Sequence, residues 1–162
     1  MSKKTLKEKI IDFVCNVSNQ PVRYKDLLLA NALFNEGMPV DSAKLNFMIS
    51  IRKTYLVYAI ICFCIIAPII LLTHLTLKDV NTHIPIIGVI IITSAVFIGY
   101  NYFGYWIRKV ITLKLIKKAW VIHFPYFAYE KYSKEVERLY NEIVKKELPR
   151  QDWEQYILDG LL

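Results

Sequence analysis

The side chains best suited to nucleophilic, redox or metal chemistry in this chain are three cysteines and three histidines among 162 residues. Cys62 and Cys64 stand two apart in an apolar stretch. On a helix such residues point to different sides, so the pair can neither chelate one ion nor form a disulfide with each other. Both read as small apolar fillers, the usual behaviour of a buried free cysteine. Cys15 has no histidine or second cysteine beside it and reads the same way. His74 and His83 bracket a short polar connection that holds Asp79. Two imidazoles could begin a zinc site, but such a site takes at least three protein ligands, and polar residues at a membrane boundary are the better account. His123 stands alone. The acids of the C-terminal part, Glu130 to Glu147, are strung out as along a solvated helix face rather than clustered for acid–base work. The expectation is therefore a non-enzyme with no cofactor and no metal.

What would have to position any such residue is unusual. Thr54 to Leu77 and Val80 to Ile107 contain no Asp, Glu, Lys or Arg. Each exceeds the roughly 20 apolar residues a helix needs to cross the hydrocarbon core of a bilayer. The pattern predicts spans over 54–77 and 84–107, with segments 1–53 and 108–162 outside the membrane. Each flank is small for a domain that folds alone, so each is expected to lean on the membrane, on the other, or on a partner. The first apolar run begins more than fifty residues into the chain and is too long for a signal peptide. No myristoylation or prenylation signal is expected at the ends.

Charge sets the orientation. Of the 21 Lys and Arg, nine lie in 1–53 and eleven in 108–162, while the connection between the spans carries only Lys78 and Asp79. Basic residues collect on cytoplasmic flanks, and acids matter little. Arg52 and Lys53 adjoin the first span, and Arg108 and Lys109 the second. Both termini are expected in the cytoplasm, with Thr73 to Ile84 as a short outer turn, and a bacterial inner membrane is the default location. Tyr100, Tyr102, Phe103, Tyr105 and Trp106 form an aromatic girdle at the inner face, where Tyr55 and Tyr58 also fall. Ala95 and Gly99, four apart, offer a small-residue surface for helix packing against the first span or a second copy. Pro68 predicts a kink in the first span.

Outside the spans, Thr5 and Glu8 have capping-box spacing. Leu6, Ile10, Phe13, Val14 and Val17 then recur with helical period. Ser18 to Pro21 is a turn. Tyr24 to Asn35 reads as a second helix, ended by Gly37 and Pro39, and Asp41 or Ser42 starts a third that carries Leu45, Met48 and Ile49 toward the membrane. Arg108, Lys109, Lys114, Lys117 and Lys118 punctuate an apolar stretch to Tyr126. The stretch is read as a helix leaving, or lying along, the inner leaflet, its ammonium groups toward anionic headgroups. Tyr126 to Leu148 is a charged amphipathic helix with a Tyr132, Val136, Leu139, Ile143 seam and favourable Glu130–Lys134 and Glu142–Lys146 pairs. After Pro149 a last helix presents Trp153, Tyr156 and Ile157. The sequon Asn16-Val17-Ser18 falls on an expected cytosolic helix and is discounted.

The fold expected is all-α: a two-span antiparallel transmembrane hairpin with short cytosolic amphipathic helices at both ends. Spans without ionisable residues offer no proton relay or lined pore. A non-enzymatic membrane adaptor or accessory subunit is the leading expectation. It would sit among anionic lipids and touch a protein partner, or a second copy, through Leu6, Ile10 and Phe13 on one side and Val136, Leu139, Trp153 and Tyr156 on the other. Two alternatives stand beside it. The three N-terminal helices outline a helix-turn-helix, hence a membrane-tethered DNA-binding regulator, although the recognition helix from Asp41 would supply few phosphate contacts. A small oligomeric pore-former is the other.

Overall fold

The computed structural model describes residues 5–76 and 83–162, and the side chains of 74–76 and 83–86 are not among what it describes. The expected outer turn with Lys78 and Asp79, and the side chains of His74 and His83, therefore lie outside the described residues. The chain is mostly helical, 79%, with six α-helices among the described residues. It divides into two compact units, Met1–Cys15 with Ile49–Arg108, and Asn16–Met48 with Lys109–Leu162.

The first unit holds three helical pieces. Helix α1 (Leu6–Val14) starts at a full capping box, in which the Thr5 hydroxyl accepts from the Glu8 amide and the Glu8 carboxylate accepts from the Thr5 amide at 2.9 Å. It buries Ile11 and Val14. Helix α3 (Ile51–Thr76) is tied to it at its root, where the Ser50 N–H donates to the Val14 carbonyl at 3.0 Å. Thr54 is buried there and returns its hydroxyl to the Ser50 carbonyl. Pro68 lies inside α3, which continues through it. The third piece is the part of α4 (His83–His123) up to Arg108.

The second unit is assembled from both flanks. Helix α2 (Tyr24–Asn35) packs against α5 (Tyr129–Lys145), and α5 against α6 (Trp153–Leu161). The C-terminal part of α4 supplies Ile111, Leu115, Ile116, Ala119 and Trp120 to the core. The stretch expected to leave the inner leaflet or to lie along it is a continuation of α4 that packs into this core. Its apolar residues recur at the three-to-four spacing that places them on one side, and Lys114 and Lys118 are left exposed on the other. Leu27, Leu28, Val136, Leu139, Ile143 and Ile157 complete the interior. Helix α4 continues unbroken past Ile107 to His123, because nothing after Ile107 breaks a helix before Pro125.

Two further expectations need correcting. The chain is mostly helical but not helical throughout: Cys15–Val17 (β1) and Phe47–Ile49 (β2) form a two-stranded sheet. Ser18 donates to Asn46 and Ser50 to Val14, so the strands are antiparallel. Val17 thus lies in a strand, not on α1. The third helix from Asp41 is one 3-10 turn, Ser42–Leu45, capped by the Asp41 carboxylate and stopped by Asn46 in the left-handed conformation, φ 53°. Its continuation is β2, rich in apolar residues that suit a pleated surface. The outline of a DNA recognition helix is therefore missing at the place where it was expected.

Candidate membrane interface

Two helices, over Ile51–Thr73 and Ile87–His123, are long and apolar enough to cross a membrane. Past Thr54, every described side chain of α3 is exposed or half-buried, and so is every one of α4 from Ile87 to Trp106. Apolar surface on this scale is unfavourable in water, and a lipid phase would cover it.

The residues placed at the expected inner boundary form an aromatic chain. Tyr58 lies edge-on to Tyr100 (5.5 Å between ring centres) and tilted against Phe103 (5.4 Å), and Phe103 stacks on Trp106 (5.8 Å). Tyr55 meets Tyr100 at 6.0 Å. Tyr102 and Tyr105 point away and are exposed. The Tyr58 hydroxyl donates to the Val96 carbonyl at 2.7 Å, a polar tie between α3 and α4. Gly99 makes room for it: a methyl group added there would run into the Tyr58 hydroxyl and stand 3.5 Å from the ring carbon that bears it. Ala95, the other small residue, is exposed.

Cations border this cluster. Arg52 and Arg108 are exposed. The Lys53 ammonium lies over the Phe13 ring at 5.2 Å, and that of Lys7 over the Trp106 ring at 5.8 Å. In the second unit Lys109, Lys114 and Lys118 are exposed, while Lys117 pairs with Glu130 at 2.6 Å above the Tyr129 ring. That contact draws the Glu130 carboxyl below the usual glutamate range, chiefly through the hydrogen bond from Lys117. Glu130 thus pairs with Lys117 at 2.6 Å, where Lys134 was the expected partner.

The expected partner residues divide. Leu6 and Phe13 are exposed and Ile10 is half-buried. Val136 and Leu139 are corrected: both are buried in the core of the second unit and are not free to meet a partner. The reason is the seam itself, whose three-and-four spacing makes it the side of α5 that α2 and α6 cover. Trp153 and Tyr156 are half-buried. The Trp153 indole donates to the Leu148 carbonyl at 3.0 Å, and the Tyr156 hydroxyl joins Lys146 and Glu142 at 2.8 and 3.0 Å.

Sequence reasoning missed a buried polar cluster in the second unit. Asn31 is fully buried and donates to the Ser133 carbonyl at 2.8 Å. It also accepts from the Ser133 hydroxyl at 2.9 Å. Asn35 reaches the same carbonyl at 3.3 Å and the same hydroxyl at 3.0 Å. Two asparagines four apart in an apolar helix were the available signal. Tyr24, the first residue of the same helix, has a buried hydroxyl without a partner, and burial holds its ionisation far above the ordinary tyrosine range. The Trp120 indole donates to the Phe127 carbonyl at 2.6 Å and so fixes the α4–α5 connection. These bonds are structural: each joins side chain to chain within one core. Among the described residues no group of three His, Cys, Asp or Glu side chains gathers as metal ligands. No protein-family model matches the chain, and no curated protein or solved structure does.

Proposed function

We propose that the chain is an integral membrane protein whose two apolar helices form an antiparallel hairpin anchor, and that it works as a non-enzymatic adaptor or accessory subunit of a membrane complex. The observation that carries this reading is the composition of the second unit. Its core draws on 16–48, before the apolar pair, and on 109–162, after it. The two segments can meet only in one compartment, and an even number of crossings between them satisfies that. The Lys and Arg content of both flanks favours the cytoplasmic side. A bacterial inner membrane rich in anionic headgroups fits the same charge.

The adaptor part rests on surface. The second unit is closed by its own apolar core and leaves Val121, Ile122 and Tyr126 exposed at the end of α4 and the turn beyond it. These replace Val136 and Leu139 as the residues offered to a partner protein or second copy. Two experiments test the reading. In intact cells, cysteines placed at residues 20 and 126 should both be shielded from a membrane-impermeant thiol reagent until the membrane is opened; labelling of either before opening refutes the shared cytoplasmic side. A photocrosslinker at Tyr126 should yield one discrete protein adduct that disappears when Val121 and Ile122 become serine. A chain that carries no adduct and leaves mild detergent as a lone monomer would refute the adaptor role, as would salt-sensitive binding of DNA.

A further inference from the structure

Helix α1 carries a wider apolar arc than the chain covers. Ile11 and Val14 face inward and are buried. Leu6, Ile10 and Phe13 follow one another at four and three residues, so they make a second stripe beside the first. On that stripe Leu6 is 76% exposed and Phe13 45%. Position says what should cover it. The end of α1 is hydrogen-bonded to the root of α3, and Lys7 rests on Trp106, the last aromatic residue of the girdle on α4. Tryptophan at the end of an apolar span sits at headgroup level. Charge agrees: Lys7, Lys9, Arg52, Lys53 and Arg108 are opposed by only Glu8 and Asp12 among the described residues of this unit. The Lys7 and Lys53 ammonium groups lie over the Trp106 and Phe13 rings, so positive charge stands at the edge of the aromatic girdle, where anionic headgroups would meet it.

We infer that α1 is an interfacial helix whose Leu6–Ile10–Phe13 stripe enters the boundary between headgroups and acyl chains of an anionic leaflet. It lies in the membrane plane rather than offering that stripe to a partner protein. The inference rests on reading α3 and α4 as spans, and it adds a third membrane contact to them. Immersion would be about 5–10 Å, the depth usual for such helices.

The test uses the full chain in bilayer discs of zwitterionic and anionic phospholipid. Cys62 and Cys64 are changed to alanine, buried Cys15 is kept, and the label taken up without an added cysteine sets the blank. Nitroxides are then placed by Leu6→Cys and Phe13→Cys, with Phe97→Cys on the exposed side of α4 and Tyr126→Cys as references. The expected result is an oxygen-to-nickel collision ratio at residues 6 and 13 several-fold above that at 126 and close to that at 97. A water-like ratio at 6 and 13 with a lipid-like ratio at 97 overturns the inference and leaves the spans standing. A water-like ratio at 97 as well overturns both. Low collision with both reagents at 6 and 13 means protein covers the stripe, and also overturns it. A phospholipid with a diazirine in its acyl chain gives an independent reading on the unmodified protein: adducts within residues 6–13 support the inference, and adducts confined to α3 and α4 refute it.

Discussion

Replacing Asn31 by alanine tests whether the second unit is held as one piece. The side chain is fully buried and makes two bonds to Ser133, at 2.8 and 2.9 Å. Each net bond contributes about 1 kcal/mol. Asn35 already reaches the Ser133 carbonyl and hydroxyl, so Ser133 keeps a partner and its desolvation is not added to the loss. Alanine returns a few tenths of a kcal/mol through helix propensity, and the space left by the amide removes a comparable amount. The loss should come to about 2 kcal/mol. Native-state amide exchange in detergent reads it locally, and amides of Leu27, Leu28 and Val136 should exchange about thirtyfold faster. Amides in the middle of α3 should not change. Ser133→Ala should cost a similar amount for a different reason, since it strands the buried Asn31 carbonyl oxygen. Because the bond from the Ser133 hydroxyl to the Asn31 amide oxygen is lost in either single variant, the double variant should lose less than the singles predict, with a coupling of about 1 kcal/mol. Unchanged exchange in α2 and α5, or strict additivity, would refute the cluster as the lock between 16–48 and 109–162.

Other expectations follow from single features. Glu147 follows α5 with φ 51°, a conformation that favours glycine, and the Leu148 N–H closes back on Ile143; Glu147→Gly should slow exchange in the last turn of α5 by about 0.5–1 kcal/mol, and faster exchange would contradict the assignment. Gly99→Ala should drive the Tyr58 hydroxyl off the Val96 carbonyl and lower the melting temperature in detergent, by an effect on the order of 0.5–1 kcal/mol. In a Tyr58→Phe background the same change should cost less, because the hydroxyl in its way is gone; equal costs would show that the two residues do not meet. The Glu130 carboxyl titrates below the ordinary glutamate value because Lys117 stabilises its charged form. Its small stabilising contribution is therefore present above the unfolded glutamate value and is lost as pH falls through the depressed folded one. NMR titration should show a low midpoint that rises toward normal in Lys117→Gln, part of the lowering remaining through the backbone hydrogen bond at Glu130, and a normal midpoint in the unaltered chain would contradict the pair.

Local signals were legible in the sequence. The capping box at Thr5 and Glu8, the α2 helix from Tyr24 to Asn35 and the two apolar stretches needed only spacing and composition. Contacts far apart in the chain were not. A seam such as Val136, Leu139 and Ile143 looks the same whether a foreign partner or the chain itself covers it. The choice depends on α2 arriving from a hundred residues away. The same holds for Lys117: an i,i+4 partner at Glu130–Lys134 was visible, while the one adopted spans the turn at Pro125. The strands β1 and β2 were missed because three residues give no period to read, and each was credited to the helix beside it.

The composition of the second unit bears on how the chain is made. Asn31 and Ser133 are 102 residues apart, and both apolar stretches are translated between them. If those stretches enter lipid, residues 16–48 leave the ribosome long before their counterpart exists. They must wait, uncovered, through two insertion events. A nascent chain that inserts only one stretch strands 16–48 and 109–162 on opposite faces of the bilayer, where they never meet. Completion of the α2–α5 core would then serve as a built-in proofreading step, and half-inserted products would display the apolar sides of α2 and α5 to cellular proteolysis.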